Sequence, residues 1–243
     1  MFASRFCLMA LCAASSALAA EEEEDFTDHF PIEECHFVPY GGNDYFNLNP
    51  GRQTYFNNSE CVAEGDCDER EELTITVTRE LKKVLIDVDR KQQAIWTRVI
   101  VENEKADGEL KEISRNYFAT CLPWRDVYYF GEDVDIYEDG EVVSHAGAWL
   151  AGRFGAEPGI IMPDSGFLLG QRYFQERAPG VALDRAEHVG TDLELDLEAG
   201  NFDDCIEVTE TTPLEPGSES TKFYCPGAGL VIDSDLKAIA VYR

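Results

Sequence analysis

The side chains that could do acid–base chemistry in this sequence gather near one histidine. His188 follows Glu187 and lies close to Asp184 in the chain, and a carboxylate-paired imidazole can act as a general acid or base or can respond to pH. Together with Glu176, these residues would form a hydrolase-like or isomerase-like site. Neighbouring charges of this kind more often form weak surface ion pairs. We therefore predict no catalytic residue and keep the enzyme as an alternative.

Carboxylates are densest just before Asp139-Gly140, where Glu132, Asp133 and Asp135 lie close together in the chain. Calcium takes roughly six to eight oxygen ligands, so this cluster could hold the ion weakly. It lacks the residue order of an EF-hand loop, and a run of charges is usually a solvated face. We expect no cofactor, with Ca²⁺ at these three residues as the alternative.

Other kinds of chemistry lack their sequence signatures. No G-x-S-x-G nucleophile elbow is present, and no Gly-rich loop carries a Lys at the spacing of a phosphate-binding loop. The chain holds 20 Lys and Arg against 48 Asp and Glu, which gives a formal net charge of −28. Such a charge repels nucleic-acid backbones and anionic lipid surfaces. We therefore expect no nucleic-acid partner.

The N-terminus has the pattern of a secretory signal peptide. A basic first segment precedes the apolar stretch Phe6–Leu18, and a small-x-small pattern favours cleavage after Ala19 or Ala20. We expect a periplasmic or extracellular protein with no integral membrane segment after cleavage. The chain then divides into a signal peptide (1–20), an acidic, flexible N-terminal segment (21–31) and a single disulfide-linked β domain (32–243).

Six cysteines remain after cleavage, and an even number in an exported chain indicates disulfides. Cys61 and Cys67 flank a short loop, and Cys205 and Cys225 lie equally far from the centre of a Pro/Gly turn, where a hairpin would place them opposite each other. The pair that remains is Cys35–Cys121. Sequence does not determine the connectivity, so other pairings stay open.

Turn signals and alternation predict the fold. Asp107-Gly108 and Asp139-Gly140 favour tight two-residue hairpins. Leu193, Leu195 and Leu197 alternate with acidic residues, which is typical of a half-buried antiparallel strand. The prediction is an all-β fold: a curved antiparallel meander, as a half-barrel or open barrel, with a β-sandwich as the alternative.

Two segments depart from this pattern. Gly147–Gly170 is rich in Gly and Pro and predicts a long irregular connection, which in a compact domain is often functional. Asp184–His188 could form one short helical turn.

Several phrases of the sequence resemble a group of uncharacterised secreted bacterial proteins. The resemblance covers roughly residues 45 to 231 and implies an exported β-rich protein with no known activity. Cys225 and the Cys61/Cys67 pair depart from the pattern of that group, which suggests additional cross-links. The phrases are Tyr128–Val134, Tyr137–Gly140, Pro158–Pro163, Ala178–Ala182, Pro213–Gly217 and Pro226–Val231.

These features together favour an exported, non-enzymatic binding or carrier protein. Clustered aromatic residues could line the concave side of a curved sheet, although packing in the core is the more common role of aromatic side chains. The ligand would be a small apolar molecule or a protein partner. A calcium-stabilised structural or surface protein is one alternative, and the enzyme is another. The predicted binding region is the loop 156–170 with neighbouring residues, namely Met162, Tyr173, Asp184, Glu187 and His188.

Overall fold

Tight turns with left-handed backbone divide the chain into antiparallel strands. A computed structural model describes residues 26–122, 124–164 and 169–242. Asp107 and Gly108 have φ values of 51° and 81°, and Asp139 and Gly140 have 51° and 79°, so both predicted hairpin turns are present in the mirror-image form that matches strand twist. The predicted signal peptide lies outside the described residues.

The described residues contain sixteen strands. The first eight are β1 (His36–Val38), β2 (Gln53–Asn57), β3 (Glu71–Val88), β4 (Lys91–Ala106), β5 (Glu109–Leu122), β6 (Val127–Glu138), β7 (Glu141–Ser144) and β8 (Trp149–Leu150). The last eight are β9 (Glu157–Met162), β10 (Arg172–Phe174), β11 (Glu176–Arg177), β12 (Arg185–Leu197), β13 (Gly200–Thr211), β14 (Glu219–Cys225), β15 (Gly229–Asp233) and β16 (Leu236–Tyr242). A short helix, α1 (Ser59–Glu64), and a 3₁₀ turn (Ile32–Glu34) complete the described elements.

All sixteen strands belong to one open antiparallel sheet, which confirms the predicted all-β meander and not the sandwich. The sheet runs in the order β10-β12-β13-β14-β15-β16-β2-β3-β4-β5-β6-β9-β11, with β1 beside β5 and with β7 and β8 beside β6. Its two end strands, β10 and β11, are separated in the chain only by Gln175. The segment that carries them therefore joins both ends of the curved sheet.

The outer face of β6 is covered by the segment that leads into β1. Phe37 packs edge-on against Tyr128 and Phe130, with ring centroids 5.2 and 5.1 Å apart, and Phe30 lies 5.9 Å from Tyr128. Because this layer covers one face and the sheet interior covers the other, residues 127–131 are all buried. The predicted flexibility of the segment 21–31 does not extend to Phe30, which is buried in the core.

Three disulfides link the pairs Cys35–Cys121, Cys61–Cys67 and Cys205–Cys225, so the predicted pairing is confirmed. Ile206 is opposite Tyr224 in the β13–β14 ladder, which places Cys205 and Cys225 across the hairpin as the symmetric spacing predicts. Cys35–Cys121 fixes the covering segment to β5.

The Cys61–Cys67 bridge spans six residues and should stabilise the protein least of the three. We expect the double variant Cys61→Ser/Cys67→Ser to lower the free energy of unfolding by about 2 kcal/mol, because a short loop restricts the unfolded chain only modestly. Urea unfolding of the oxidised protein measures this. The matched control is Cys35→Ser/Cys121→Ser, which opens a link of sequence separation 86 and should cost about twice as much. Equal losses would contradict the prediction.

Two local predictions need correction. Asp184–His188 is not a helical turn, because β12 begins at Arg185 and pairs with β13 from that residue onward. Gly147–Gly170 is not wholly irregular, because it contains β8 and β9. Within the described residues, no helix has the length and apolar character needed to span a membrane.

Candidate functional site

A cavity of about 270 Å³ lies inside the curve of the sheet. Side chains from β2 to β6 line one side, side chains from β13 to β15 line another, and the segment that joins the sheet ends closes the space with Gln175 and Glu176. The volume is near the lower end of the range typical of ligand pockets, about 300–1,000 Å³. A small organic molecule would fit.

Strand alternation explains why acidic side chains face this cavity. Ile100, Glu102 and Glu104 follow one another at a spacing of two on β4, so they share one face of the sheet. In the β4–β5 ladder, Glu102 is opposite Ser114 and Glu104 is opposite Glu112, and all four residues line the cavity. The inner face of this hairpin therefore changes from apolar to acidic towards the turn.

A partly buried ion pair forms on the opposite side. Lys222 on β14 lies 2.9 Å from the carboxylate of Glu210 and 3.6 Å from that of Asp233. Gln175 Nε2 donates a hydrogen bond of 2.7 Å to the same Glu210 carboxylate. Burial of the Lys222 ammonium lowers its pKa, but the attraction of Glu210 and Asp233 outweighs that effect and holds the pKa well above its usual value.

Aromatic rings form a continuous wall along the cavity. Phe46 lies 4.9 Å from Phe118, Phe118 stacks on Tyr129 at 4.8 Å, and Tyr129 meets Trp149 edge-on at 5.1 Å between ring centroids. All four residues line the cavity. Tyr129 OH also donates a 2.6 Å hydrogen bond to Asn116 Oδ1, which fixes the ring orientation.

Carboxylates outnumber cationic side chains in the lining by eight to two. The two cations are Lys222 and Arg52, and the Arg52 guanidinium donates a hydrogen bond to the carbonyl of Gly227. Lys222 pairs with two of the acids. Within the described part of the chain, the other six form no ion pair with Lys or Arg. These six are Glu102, Glu104, Glu112, Glu132, Glu176 and Asp184.

Enclosure of these acids raises their pKa values. Burial, reinforced by Glu104, Asp233 and Glu132 against the opposing effect of Lys222, raises the pKa of Glu102 to about 8. Burial and nearby acids also raise the pKa values of Glu104 and Glu132 to about 7. Glu104 is nevertheless among the more solvent-accessible lining residues, so it marks a place where water reaches the cavity.

Glu176 and Asp184 form a carboxyl pair in the lining. Glu176 is only 1% exposed, and its Oε1 accepts a 2.6 Å hydrogen bond from the backbone N–H of Asp184. The two side chains also hydrogen-bond to each other. Burial, with the charge of the partner acid, raises the pKa of Glu176 well above its usual value, whereas Asp184 is solvent-exposed.

Of the predicted binding residues, only Asp184 lines the cavity. Met162 is 1% exposed and packs in the core, where its carbonyl accepts a hydrogen bond from Asn43. Tyr173 and His188 are also core residues, and Tyr173 OH and His188 Nε2 share a 2.9 Å hydrogen bond. Burial lowers the pKa of His188 to about 4.

The predicted acid–base group separates into two places. Glu187 and His188 are neighbours on β12, so their side chains point to opposite faces of the sheet. Glu187 pairs with Arg172 at 3.0 Å, while His188 is fully buried beside Tyr173. Glu176 and Asp184 lie together at the cavity instead.

The predicted calcium ligands also lie on two faces of β6. Glu132 lines the cavity. Asp133, on the other face, accepts a hydrogen bond from Tyr117 and pairs with Lys82 at 3.2 Å. Asp135 pairs with Arg115 at 2.8 Å. These three carboxylates therefore share no common point at which they could hold one ion.

The cavity acids on β4 and β5 were not singled out from the sequence. The sequence does contain a signal for this shared face. Ile100, Glu102 and Glu104 recur at a spacing of two on β4, and the residues from Glu112 to Phe118 that line the cavity recur at the same spacing on β5. The pattern identifies a shared face but does not say whether that face is enclosed. Acidic residues are also common along the whole chain, so the pattern alone does not distinguish the acids of the cavity from the others.

The described residues form a curved antiparallel sheet around a small interior cavity. No family model, curated protein or solved structure matches this chain.

Proposed function

We propose that the protein is an exported binding or carrier protein that holds one small molecule inside its curved sheet. The observation that carries this proposal is the interior cavity, which combines an aromatic wall with polar groups from strands far apart in the sequence. Pockets that bind small molecules have this mixture of apolar surface and a few placed polar groups.

The covering layer and the disulfides hold the walls of the cavity in place, which supports the proposed binding function. Cys35–Cys121 fixes the layer outside β5 and β6, and Cys205–Cys225 ties the hairpin beside the opposite wall. Disulfides of this kind are typical of proteins that act in an oxidising environment.

We expect Ser114→Phe to abolish ligand binding by filling the cavity. Ser114 is 4% exposed and lines the cavity between Glu102 and Asn116, so a phenyl ring there would occupy the space that a ligand needs. Native mass spectrometry of the exported, oxidised protein detects a copurified molecule. Calorimetry measures the binding of three small aromatic probes: phenethylamine, which is a cation, 2-phenylethanol, which is neutral, and phenylacetate, which is an anion.

The control is Val143→Phe, which adds the same ring to an exposed position on β7. It should bind as the wild type does, and both variants should keep the native circular dichroism spectrum and all three disulfides. A wild-type protein that carries no adduct and binds none of the three probes would refute the carrier proposal.

A second candidate function rests on the Glu176–Asp184 pair. Two hydrogen-bonded carboxyl groups, one buried and one solvent-exposed, can divide the roles of acid and base because their environments differ. If the protein is an enzyme, Glu176→Gln should lower the rate of any turnover found by substrate screening at least about 100-fold. Glu187→Gln changes a residue that does not line the cavity and should leave that rate unchanged. The absence of turnover with any substrate class leaves the carrier as the better proposal.

A further inference from the structure

We infer that the ligand is a small organic cation, an amine with an aromatic or apolar body and a hydrogen-bond acceptor. This inference rests on the proposed function and specifies the ligand class of the same cavity. Three independent features of the lining support it: the excess of carboxylates, the aromatic wall, and a buried donor without a partner.

The charge of the lining calls for a cation. Lys222 compensates Glu210 and Asp233, while six further acids enclose the cavity with no Lys or Arg ion-paired to them among the described residues. Four of these acids are at least partly buried, namely Glu102, Glu112, Glu132 and Glu176. When ionised, each of these four lacks part of its hydration, and an opposite charge within contact distance offsets that loss. The net charge of −28 adds a field that attracts cations to the protein.

The distribution of the acids favours an organic cation over a metal ion. A divalent ion needs several oxygens converging on one point. In the described residues, the one group of three potential ligand atoms that converge is Cys61, Cys67 and Asp235, and none of these lines the cavity. The cavity acids are instead spread over β4, β5, β6 and β13, which suits a ligand that extends across the cavity.

The aromatic wall suits the body of such a ligand. Phe118 and Tyr129 stack on each other, Phe46 and Trp149 meet them edge-on, and all four rings line the cavity. Aromatic faces attract ammonium groups and pack against apolar or aromatic bodies.

Trp149 supplies the third feature. It lines the cavity, it is 6% exposed, and its Nε1 donor has no hydrogen-bond partner in the part of the chain that the structure describes. A buried N–H without an acceptor is unfavourable, and most such groups in proteins have a partner. An acceptor on the ligand, such as a hydroxyl oxygen, would satisfy it once the residues that cover Nε1 move aside.

Isothermal titration calorimetry at pH 8 tests the charge of the ligand with three probes of equal size. Phenethylamine should bind at least about 10-fold more tightly than 2-phenylethanol, because a charge-assisted hydrogen bond replaces a neutral one. Phenylacetate should not bind measurably. The double variant Glu102→Gln/Glu132→Gln should lose that preference and keep the affinity for 2-phenylethanol within about two-fold.

The matched control is Glu138→Gln/Glu141→Gln. These two acids face each other across the exposed end of the β6–β7 hairpin and do not line the cavity, so the control removes the same charge and should keep the full preference. Tight binding of 2-phenylethanol or phenylacetate, without preference for the amine, would overturn the proposal of a cationic ligand but not the proposed carrier function. No binding of any probe would overturn both.

Two further measurements complete the test. Calcium chloride should not displace phenethylamine; displacement at micromolar Ca²⁺ would overturn the organic cation in favour of a metal site. 2-Amino-1-phenylethanol should bind more tightly than phenethylamine to the wild type, and Trp149→Phe should remove this difference because it removes the Nε1 donor. An unchanged difference would refute the assignment of the acceptor.

Discussion

We expect Lys222→Met to lower the free energy of unfolding at pH 8 by about 3 kcal/mol, the largest loss from any single change in the cavity. Lys222 is the cation between Glu210 and Asp233, and its side chain is 24% exposed. Methionine keeps the length and apolar stem of lysine, so the packing survives while two partly buried carboxylates lose their counter-charge. Urea unfolding of the oxidised protein measures the loss.

The surface pair Lys237–Glu60 provides the control. Both side chains are more exposed than those of the partly buried pair, and solvent screens such a pair strongly. Lys237→Met should therefore cost less than about 1 kcal/mol. Adding Glu210→Gln to Lys222→Met should recover part of the stability by removing one of the two uncompensated charges. A loss no larger than that of Lys237→Met would contradict the partly buried ion pair.

The second large effect is a decrease of stability as the pH rises. In the unfolded chain a Glu releases its proton near pH 4.5, whereas burial raises the pKa of Glu102 to about 8 and that of Glu132 to about 7. Between these values the folded state binds more protons than the unfolded state, so stability falls from about pH 5 to pH 8. The contribution of Glu102 is on the order of 2 kcal/mol, allowing for water in the cavity.

Glu102→Gln should raise the melting temperature at pH 8 and flatten its dependence on pH, because the variant has no proton to lose there. Glu138→Gln, at an exposed position on the same sheet, should leave the slope unchanged. Differential scanning calorimetry from pH 5 to pH 8 gives both slopes. A melting temperature that rises over this range would disprove the raised pKa values.

His188 sets the acid limb of the same profile. Burial lowers its pKa to about 4, against 6.5 for an ordinary histidine. The stability that it contributes as a neutral core residue is therefore lost as the pH falls from about 6.5 through 4. Together with the cavity acids, it places maximum stability in mildly acidic solution, near about pH 5 to 6.

A carrier with this profile would couple loading to proton release. A cation that enters the cavity stabilises the ionised form of Glu102 and Glu132, so their protons leave as the ligand binds. The carrier proposal, the amine class of ligand and the pH profile thus share one physical origin, the enclosure of acids beside an aromatic wall.

Local patterns in the sequence determined the strands, their turns and the cross-links. Alternation over Leu193–Leu197 predicts a strand because the side chains of a strand point alternately to its two faces. Asp-Gly pairs predict hairpins because both residues tolerate the left-handed backbone that the turn needs. The symmetric spacing of Cys205 and Cys225 about a turn predicts their disulfide for the same reason. These features depend on neighbours along one or two strands.

Tertiary structure alone decided which face of each strand is enclosed. On β4, Val99 and Ile100 are both buried although they point to opposite faces, so hydrophobicity could not show that Glu102 faces inward. Lys222 meets Glu210 and Asp233 only because β13, β14 and β15 lie side by side. Glu187 and His188 are adjacent in the sequence, which groups them as one candidate site, but as neighbours on a strand their side chains point to opposite faces of the sheet. A cavity arises from the curvature of the whole sheet, and curvature is a property of many strands together that no local pattern encodes.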